Sequence, residues 1–440
     1  MSTRVSRGPG EPARVVVLHP NLPGGARDDR DAAAALDEAV GLAAALDLVV
    51  AEQLALNVNR PKPATLFGSG QVEDIAARVK ALDAELVIVD GPVSPVQQRN
   101  LERAWHAKVL DRTGLILEIF ADRARTHEGR LQVELARLSY QRTRLVRSWT
   151  HLERQRGGLG AVGGPGETQL ELDRRLLEDR IAKIKRELAA VTRTRELHRK
   201  RRRDAPYPVI ALVGYTNAGK STLFNRLTSA EVTAQDMLFA TLDPTMRGAD
   251  LPSGQRVILS DTVGFIADLP THLVAAFRAT LEEVLEADVI VHVRDVSHAD
   301  AEAQRTDVLA VLADLGVTPE TDTVIEALNK IDLLDEPARA ALLTGLDRRE
   351  DTAAVSALTG QGCEALLALI DTKLAEGQHS YTIDIDLADG AALAWAYRNG
   401  RVKSRTDTDR VARLEVTLSA AELGRWRKHF PDTFLLDAAQ

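Results

Sequence analysis

A glycine-rich turn between an apolar run and an amphipathic segment constrains this chain more than any other stretch. Residues 214–222 read Gly-Tyr-Thr-Asn-Ala-Gly-Lys-Ser-Thr and follow the apolar run 209–213. The G-x-x-x-x-G-K-[ST] spacing predicts the strand, loop and helix of a phosphate-binding P-loop. Glycine permits close backbone approach to a pyrophosphate, and the helix N-terminus directs unpaired N–H groups at the anion. Lys220 is then expected to reach the β- and γ-phosphates, and Ser221 to ligate Mg²⁺.

Length and composition limit the class of protein. With 440 residues, the chain has room for about three domains that each bury a core. No apolar run approaches the roughly 20 residues of a membrane span, and the polar N-terminus lacks the apolar core of a signal peptide. We therefore expect a cytoplasmic protein without a transmembrane segment. The single cysteine, Cys363, excludes a disulfide framework and a cysteine-rich zinc site and predicts a small buried hydrophobe.

The N-terminal part alternates between two periodicities. Its strand-like and helix-like segments are, in order, 15–18, 31–46, 48 onward, 72–82, 86–89, 96–105 and 108–110. This alternation predicts a small parallel α/β domain over residues 14–125. Residues 1–13 are polar and rich in glycine and proline, which predicts a disordered tail.

A helical hairpin is predicted over residues 126–203. One apolar stripe has 4-3 spacing, with Arg142 at the position that breaks it: Leu131, Leu135, Leu138, Leu145, Trp149 and Leu152. A second stripe consists of Leu177, Ile181, Ile184, Leu188 and Val191. The glycine-rich run 157–166 separates them, and neither helix can traverse it. We therefore expect two antiparallel helices, each about 35 to 40 Å long, with a glycine-rich tip.

This hairpin is basic although the chain is acidic. Residues 142–203 contain 18 lysines and arginines against 8 acidic residues, whereas the whole chain has a formal net charge of −8. The second helix ends in Arg199, Lys200, Arg201, Arg202 and Arg203, too unbalanced a run for intrahelical pairing. Such asymmetry predicts a polyanion partner, most simply a nucleic acid.

Two short motifs after the P-loop complete a nucleotide site. Asp261-Thr-Val-Gly264 follows the apolar run 257–259, so Asp261 stands at a strand end where it can hold Mg²⁺ through water. Gly264 can offer its N–H to a γ-phosphate, whose loss would release the following loop. Asn329-Lys-Ile-Asp332 follows the apolar run 324–328. The Asp332 carboxylate can accept two hydrogen bonds, from guanine N1–H and the exocyclic amine, a pair of donors that adenine lacks.

The remaining elements follow in the order expected of a GTPase. Residues 356–358, Ser-Ala-Leu, suit a loop whose backbone contacts the guanine oxygen. Residues 239–245, between the P-loop and Asp261, form the candidate first switch. One threonine there should complete the Mg²⁺ shell; we favour Thr241, with Thr245 as the alternative.

These motifs together predict a site for GTP or GDP with Mg²⁺. The predicted nucleotide-binding residues are Gly214, Tyr215, Thr216, Asn217, Ala218, Gly219, Lys220, Ser221, Thr222, Phe239, Ala240, Thr241, Leu242, Asp243, Asp261, Thr262, Val263, Gly264, Asn329, Lys330, Ile331, Asp332, Ser356, Ala357 and Leu358. The predicted metal ligands are Ser221, Thr241 and Asp261. The predicted catalytic residues are Lys220, Gly264, Thr241 and Asn217.

The P-loop, D-T-V-G and N-K-I-D set resembles the TrmE–Era–Obg–HflX class of translation-factor GTPases. The stretches 239–245 and 157–171, the latter ending Gly-Pro-Gly-Glu-Thr-Gln-Leu-Glu, are similar to the HflX family specifically. The resemblance covers residues 14–375. It implies an α/β fold with a P-loop GTPase domain (G domain, residues 207–376), an N-terminal α/β domain and an antiparallel helical hairpin. The activity it implies is GTP hydrolysis coupled to binding of the large ribosomal subunit and its RNA through the hairpin, whose tip reaches toward the peptidyl-transferase region and dissociates stalled ribosomes.

This chain departs from the family pattern at the tip. The family usually has an arginine just before Gly-Pro-Gly-Glu, where this chain has Val162, Gly163 and Gly164. Contacts between the tip and ribosomal RNA are therefore expected to differ in detail.

Two positions bear on hydrolysis. Phe265 stands where many small GTPases have a water-orienting glutamine, a replacement that this class shares. We therefore expect slow intrinsic hydrolysis with stimulation by a partner. Asn217 matches the position that coordinates K⁺ in related GTPases, and we hypothesise the same role here.

Residues 378–440 predict a small α+β domain of about 60 residues. Its segments are a strand at 381–386, a helix at 390–398, strands at 401–403 and 413–418, and a final helix. No motif with assignable chemistry occurs in it.

Two alternative functions remain open. The first is a GTPase acting in ribosome assembly or RNA modification. The second is a non-enzymatic RNA-binding scaffold with a vestigial G domain, which the intact Lys220, Ser221 and Asp332 argue against. In each case we expect a monomer and no DNA partner.

Overall fold

The computed structural model contains three β-sheets and a pair of long helices. It describes residues 12–22, 31–155, 165–203, 207–228, 238–239, 241–242, 245–267, 284–285, 287–317, 324–346, 349–376, 378–408, 410–431 and 433–437. The predicted tail up to residue 11 and the predicted tip from 156 to 164 lie outside these residues. So do the side chains of residues 199–203, which end the basic run.

The first sheet is fully parallel, as predicted for the N-terminal part. Its strands are β1 (Arg14–Asn21), β2 (Val49–Asn57), β3 (Leu86–Val89) and β4 (Lys108–Asp111), in the order β2-β1-β3-β4. Its helices are α1 (Ala32–Ala44), α2 (Ser69–Ala81), α3 (Pro95–Trp105) and α4 (Arg112–Arg123). β1 and β3 are buried on both faces, which is typical of strands covered by crossover helices. Helix α4 was not expected from the sequence.

Two long helices follow and form the arm, residues 126–203. They are α5 (His127–Gln155) and α6 (Pro165–Arg203). Leu131 and Leu138 of α5 pack against Ile181 and Ile184 of α6 in one apolar cluster. Arg142, at the predicted break in the seam, is exposed. The two apolar stripes therefore pair over the described part of the arm, as their spacing predicts.

The second sheet has six strands and contains the P-loop. They are β5 (Val209–Gly214), β6 (Thr245–Asp250), β7 (Arg256–Asp261), β8 (Val289–Asp295), β9 (Val324–Asn329) and β10 (Thr352–Ala354). The order is β10-β9-β8-β5-β7-β6, with only β6 antiparallel to its neighbour. Its described helices are α7 (Lys220–Thr228), α8 (Ala301–Asp314), α9 (Glu336–Leu346) and α10 (Cys363–Glu376). Cys363 is buried, as predicted.

The carboxyl ends of β5, β7 and β9 lie along one edge of this sheet. They lead into the P-loop, the Asp261 motif and the Asn329 motif respectively. Ligands of open α/β sheets bind at this edge.

A third, antiparallel sheet forms the C-terminal part. It consists of β11 (Gln378–Asp386), β12 (Arg401–Asp407), β13 (Val411–Ser419) and β14 (Phe434–Asp437), in the order β12-β13-β11-β14. Helices α11 (Gly390–Asn399) and α12 (Ala420–His429) cover one face, where Trp426 is fully buried. β14 and most of β12 were not predicted. Among the described residues, no helix is both long and apolar enough to cross a membrane.

One hydrophobic core joins the first two sheets. It contains Leu42, Ile116 and Phe120 from the N-terminal part and Phe239 and Phe265 from the P-loop part. The N-terminal domain therefore packs directly against loops that border the predicted nucleotide site.

Candidate functional site

Two positions of the P-loop require glycine because atoms of neighbouring residues lie where a Cβ would be. Gly219 has a φ of +89°, and a Cβ there would lie 2.2 Å from Nδ2 of Asn329. Gly214 has a φ of +152°, and a Cβ there would lie 2.2 Å from the carbonyl oxygen of Val293. Any side chain at either position would therefore displace the P-loop backbone or its neighbours.

Lys220 lies buried across the P-loop. Its Nζ donates hydrogen bonds to the carbonyl oxygens of Gly214 and Tyr215, at 3.0 and 2.7 Å. Burial lowers the pKa of Lys220 to about 8, an effect that the charge of Asp261 opposes. The ammonium group is thus held inside the loop, where an anionic ligand would stabilise its charged form.

Three oxygen-bearing side chains converge beside the lysine. Oγ of Ser221 and Oγ1 of Thr241 donate to Oδ2 of Asp261, at 2.7 and 2.8 Å, and the two hydroxyls lie 2.9 Å apart. Oδ1 of Asp261 is buried and, within the described ranges, has no hydrogen-bond partner. Burial raises the pKa of Asp261, while hydrogen bonds from Ser221 and Thr241 and the charge of Lys220 oppose this effect.

This donor set fits Mg²⁺. Hydroxyl and carboxylate oxygens are the ligands that Mg²⁺ prefers, and a buried carboxylate oxygen without a partner would be satisfied by a metal-bound water. The structure brings Thr241 to Asp261 by a side-chain hydrogen bond. Thr245, the alternative, begins β6 and is the strand partner of Asp261.

Switch II, defined here as residues 261–267, lies directly on the P-loop. The N–H of Phe265 donates to the Gly214 carbonyl at 3.0 Å, and the N–H of Thr216 donates to the Phe265 carbonyl at 2.7 Å. A Cβ at Gly264 would lie 2.9 Å from Cγ2 of Thr216. Gly264 and Phe265 are therefore packed tightly against the P-loop backbone.

The other predicted residues of switch II are buried. Thr262 donates to the Leu212 carbonyl at 2.6 Å, and Val263 lies in the apolar core. Phe265 is also buried in that core, and its apolar side chain has no polar group that could orient a water.

Asn329 links the P-loop to the loop of residues 356–358. Its Nδ2 donates to the Ala218 carbonyl at 2.8 Å, and its Oδ1 accepts from the N–H of Ala357 at 2.9 Å. Lys330 has a φ of +66° and pairs with Asp295 at 2.8 Å. Ile331 is buried, whereas Asp332 is half-buried.

The Ser356–Leu358 loop carries both buried and exposed residues. Ser356 is buried and its Oγ accepts the N–H of Thr359, whereas Leu358 is 69% exposed. The structure thus brings the predicted base-recognition residues to one end of the P-loop.

Arg226 is a site residue that the sequence analysis did not identify. It lies on α7, and its Nε donates to the Ala357 carbonyl at 3.2 Å while Nη2 bonds to the Leu358 carbonyl. Arg226 therefore ties the helix that follows the P-loop to the loop predicted to contact the base. In the sequence, Arg226 is followed by Leu227, an ordinary apolar helix position. The local sequence therefore does not predict that Arg226 contacts a distant loop.

The candidate first switch, residues 239–245, is described in part. Phe239 has a φ of +56° and packs edge-on against Phe120, with ring centroids 4.7 Å apart. Leu242 is buried in the same core, whereas Ala240 and Asp243 lie outside the described residues. In the P-loop, Asn217 is exposed with a φ of +58°, and Thr222 is half-buried in α7.

Four family models match successive parts of the chain. They are "GTP-binding GTPase N-terminal" over residues 33–121, "GTP-binding GTPase Middle Region" over 123–202, "50S ribosome-binding GTPase" over 209–330 and "HflX C-terminal domain" over 341–429. Together they cover most of the chain.

Curated relatives agree with these matches. A "GTPase HflX" of Magnetococcus marinus is 51% identical over 390 residues, 89% of each chain. A "GTPase HflX" of Escherichia coli is 44% identical over 378 residues, 84% of this chain and 86% of its own. A crystal structure of a GTP-binding protein from Sulfolobus solfataricus in complex with GDP covers 82% of this chain and 99% of its own, with 23% identity and a TM-score of 0.44. On the identity and coverage of the Magnetococcus marinus and Escherichia coli relatives, the chain belongs to the HflX family of GTPases.

Proposed function

We propose that this chain binds GTP with Mg²⁺, hydrolyses it, and uses its nucleotide state to control binding of the large ribosomal subunit and dissociation of stalled ribosomes. The observation that carries the nucleotide part is the convergence of Lys220, Ser221, Thr241 and Asp261 within hydrogen-bond reach of the P-loop. Asn329 supports the base-binding part, since it bonds both to the Ala218 carbonyl of the P-loop and to the Ala357 N–H of the loop proposed to recognise the base.

Phosphate binding rests on charge and backbone N–H groups. The P-loop amides and the start of α7 would surround the β-phosphate, and Lys220 would turn from the Gly214 and Tyr215 carbonyls to the phosphate oxygens. Mg²⁺, when bound, neutralises charge on the β- and γ-phosphates. Ser221 and Thr241 would hold it directly and Asp261 through water.

Hydrolysis is expected to depend on electrostatic stabilisation and positioning. The Gly264 N–H would contact the γ-phosphate. Because Phe265 has no polar side-chain group, backbone groups would position the attacking water. In place of an arginine, K⁺ held by Asn217 would supply a further positive charge. Intrinsic hydrolysis is therefore slow until a partner completes the site.

The arm supplies the contact with the ribosome in this proposal. Its excess of lysines and arginines suits phosphate contacts, and its two long helices offer an extended surface for them. One of the matching family models is described as a 50S ribosome-binding GTPase, which supports the large subunit as the partner.

Co-sedimentation tests the ribosomal part. The chain is expected to migrate with large subunits in sucrose gradients in the presence of a non-hydrolysable GTP analogue, and to convert stalled 70S ribosomes into subunits. With GDP, both effects should weaken. Binding that ignores the nucleotide, or binding to free precursor subunits alone, would favour the alternative role in ribosome assembly or RNA modification.

Charge-matched variants sharpen this experiment. Replacing the exposed arm residues Arg175, Lys185 and Arg186 by Gln should weaken co-sedimentation and reduce its salt dependence by about two to three phosphate contacts. The control removes the same charge from the exposed C-terminal residues Arg398, Arg427 and Lys428 and should leave binding unchanged. A phosphate-release assay tests the scaffold alternative, which requires that GTP not be hydrolysed.

A further inference from the structure

A buried polar cluster joins the N-terminal domain to switch II. The Arg112 side chain is 5% exposed; its Nη1 pairs with Asp90 at 2.7 Å, and its Nη2 pairs with Glu38. The same Nη2 donates to the carbonyl oxygen of Ala267 at 3.3 Å. A buried arginine with two carboxylate partners is fixed in place, so the Ala267 carbonyl meets a rigid donor.

Tyr215 connects this cluster to the P-loop. Its hydroxyl donates to Oε2 of Glu38 at 2.5 Å and accepts from the N–H of Ala267 at 2.9 Å. Its own carbonyl accepts from Lys220. One side chain therefore contacts α1 and switch II while its backbone contacts the phosphate-binding lysine.

Helix α4 contacts both switches along its length. Arg112, its first residue, bonds to Ala267 of switch II. Phe120, two turns later, packs edge-on against Phe239 of the first switch. Because Leu115, Ile116 and Ile119 between them are fully buried, α4 has no room to bend and would move as a unit.

The other side of α4 holds the base of the arm. Asp111, its N-cap, accepts from the Gly114 N–H at 2.9 Å, from the Tyr140 hydroxyl at 2.5 and 2.6 Å, and from Arg144 at 3.1 Å. Further along, Glu118 pairs with Arg137 at 2.9 Å. Three residues of α5 are thus fixed to α4 and its cap.

We propose that α4 couples the nucleotide state to the arm, with Arg112 and Tyr215 as positioning residues for switch II. Asp111 and Arg112 are neighbours in the chain, yet Asp111 bonds to the arm and Arg112 to the switch. A displacement of Gly264 by a γ-phosphate would move Ala267, three residues later, and so change the position of α4. The contacts of Asp111 with Tyr140 and Arg144 then reorient the arm. This inference rests on the proposed function only in taking the arm as the part that acts on the ribosome.

Hydrogen exchange in the full-length protein measures the coupling directly. Peptides from residues 127–145 of α5 should exchange at different rates with GDP and with a non-hydrolysable GTP analogue, although α5 does not border the phosphate site. Equal exchange in the two states would overturn the proposal. Protection of the P-loop peptides confirms in the same samples that both nucleotides are bound.

Two hydroxyl deletions test the path from its opposite ends. Tyr215→Phe removes the bonds to Glu38 and Ala267, and Tyr140→Phe removes the bonds of its hydroxyl to Asp111 and Arg144. Each should change the ratio of the affinities for the GTP analogue and GDP, by about fivefold for Tyr215→Phe, the effect of one net hydrogen bond. The double variant should change it by less than the product of the single effects, since both act through α4. In Tyr215→Phe, the nucleotide-dependent difference in α5 exchange should also be lost.

Tyr381→Phe, in the core of the C-terminal sheet, is the matched control and should leave the affinity ratio unchanged. An unaltered ratio in Tyr140→Phe, or an α5 difference that survives Tyr215→Phe, would overturn the coupling. Chemical denaturation of each variant verifies that the fold is intact. If wild-type protein showed coupled exchange but no ribosome binding, only the proposed function would fail; nucleotide-dependent ribosome binding without coupled exchange would overturn only the role of α4.

Discussion

The side-chain amide of Asn329 stands 2.8 Å from the carbonyl oxygen of Ala218, inside the protein and between the two ends of the nucleotide site. Replacing Asn329 by Ala would leave this carbonyl and the Ala357 N–H without their partner. We expect the affinity for GDP to fall by about 30-fold or more, because each buried polar group left unpaired costs about 1 to 3 kcal/mol. Titration with a fluorescent GDP analogue measures the loss.

Asn399 provides the control for that variant. Its Nδ2 also donates to a main-chain carbonyl, that of Trp395, but in the C-terminal domain. Asn399→Ala should leave the GDP affinity as it is in the wild type. An equal loss in both variants would mean that general destabilisation, rather than the link to the P-loop, lowers the affinity.

Arg226 should position the base-recognition loop. Arg226→Gln removes its bonds to the Ala357 and Leu358 carbonyls, and we expect the affinity for GDP to fall by about fivefold, as for one net hydrogen bond. Pyrophosphate, which lacks a base, should compete equally well in variant and wild type. Arg247→Gln is the control, since Arg247 donates to the carbonyl of its neighbour Met246 on β6. Equal losses for GDP and pyrophosphate would contradict a role in base recognition.

The side chain of Asp332 should decide which base is bound. In Asp332→Asn, the amide N–H opposes the exocyclic amine of guanine, whereas it can donate to the oxygen that xanthine has at that position. We expect GTP affinity to fall by about 100-fold or more and hydrolysis to become dependent on XTP. Rates with GTP, XTP and ATP measure this change. A variant that still prefers GTP would show that the base lies elsewhere.

His292 predicts a pH dependence of stability. It is buried on β8, and burial lowers its pKa to about 4, an effect that Glu326 opposes and that the positive charges of Arg294, Arg305 and Lys220 assist. The unfolded chain therefore binds a proton below pH 6.5 that the folded chain does not accept until about pH 4. The contribution of His292 to the free energy of unfolding is fully present above pH 6.5 and decreases as the pH falls toward 4.

The variant His292→Leu isolates this contribution. Between pH 7.5 and pH 5, the free energy of unfolding of the wild type should fall by about 2 kcal/mol more than that of the variant. Urea denaturation at the two pH values measures both. Parallel pH profiles would mean that His292 takes up its proton at the same pH in the folded and the unfolded chain.

Asn217 should make hydrolysis depend on K⁺. It is the exposed P-loop residue with a left-handed backbone, beside the position expected for the transferred phosphate. At equal ionic strength, we expect GTP hydrolysis to be at least about tenfold faster in K⁺ than in Na⁺, since a charge placed there stands in for an arginine. Asn217→Ala should remove the difference, and equal wild-type rates would contradict the hypothesis.

The motifs that could be predicted from the sequence are those specified by short spacings. The P-loop, Asp261-Thr-Val-Gly264 and Asn329-Lys-Ile-Asp332 each follow a buried strand, so their meeting at one sheet edge follows from parallel topology. The apolar stripes of the arm likewise predicted its helices. Their roles as ligands of nucleotide and metal stay predictions that the experiments above address.

Helix α4 escaped prediction for a physical reason. It is buried around most of its circumference, from Arg112 and Gly114 through Phe120, so its sequence lacks the alternation of apolar and polar faces that marks a surface helix. The contact between Tyr215 and Glu38 joins residues 177 positions apart, and no local pattern encodes it. Arg226 was missed because its partners are main-chain carbonyls, which any sequence supplies.

The apolar core shared by the N-terminal and P-loop parts limits how far this protein can be dissected. Cutting the chain before β5 would remove Phe120, which packs against Phe239 in that core. An excised G domain would thus expose a new apolar surface on the first switch, a segment proposed to respond to the nucleotide. Hydrolysis rates measured on such a fragment would therefore describe an enzyme with an altered first switch. The N-terminal and P-loop parts are separate sheets, but they have to be studied together.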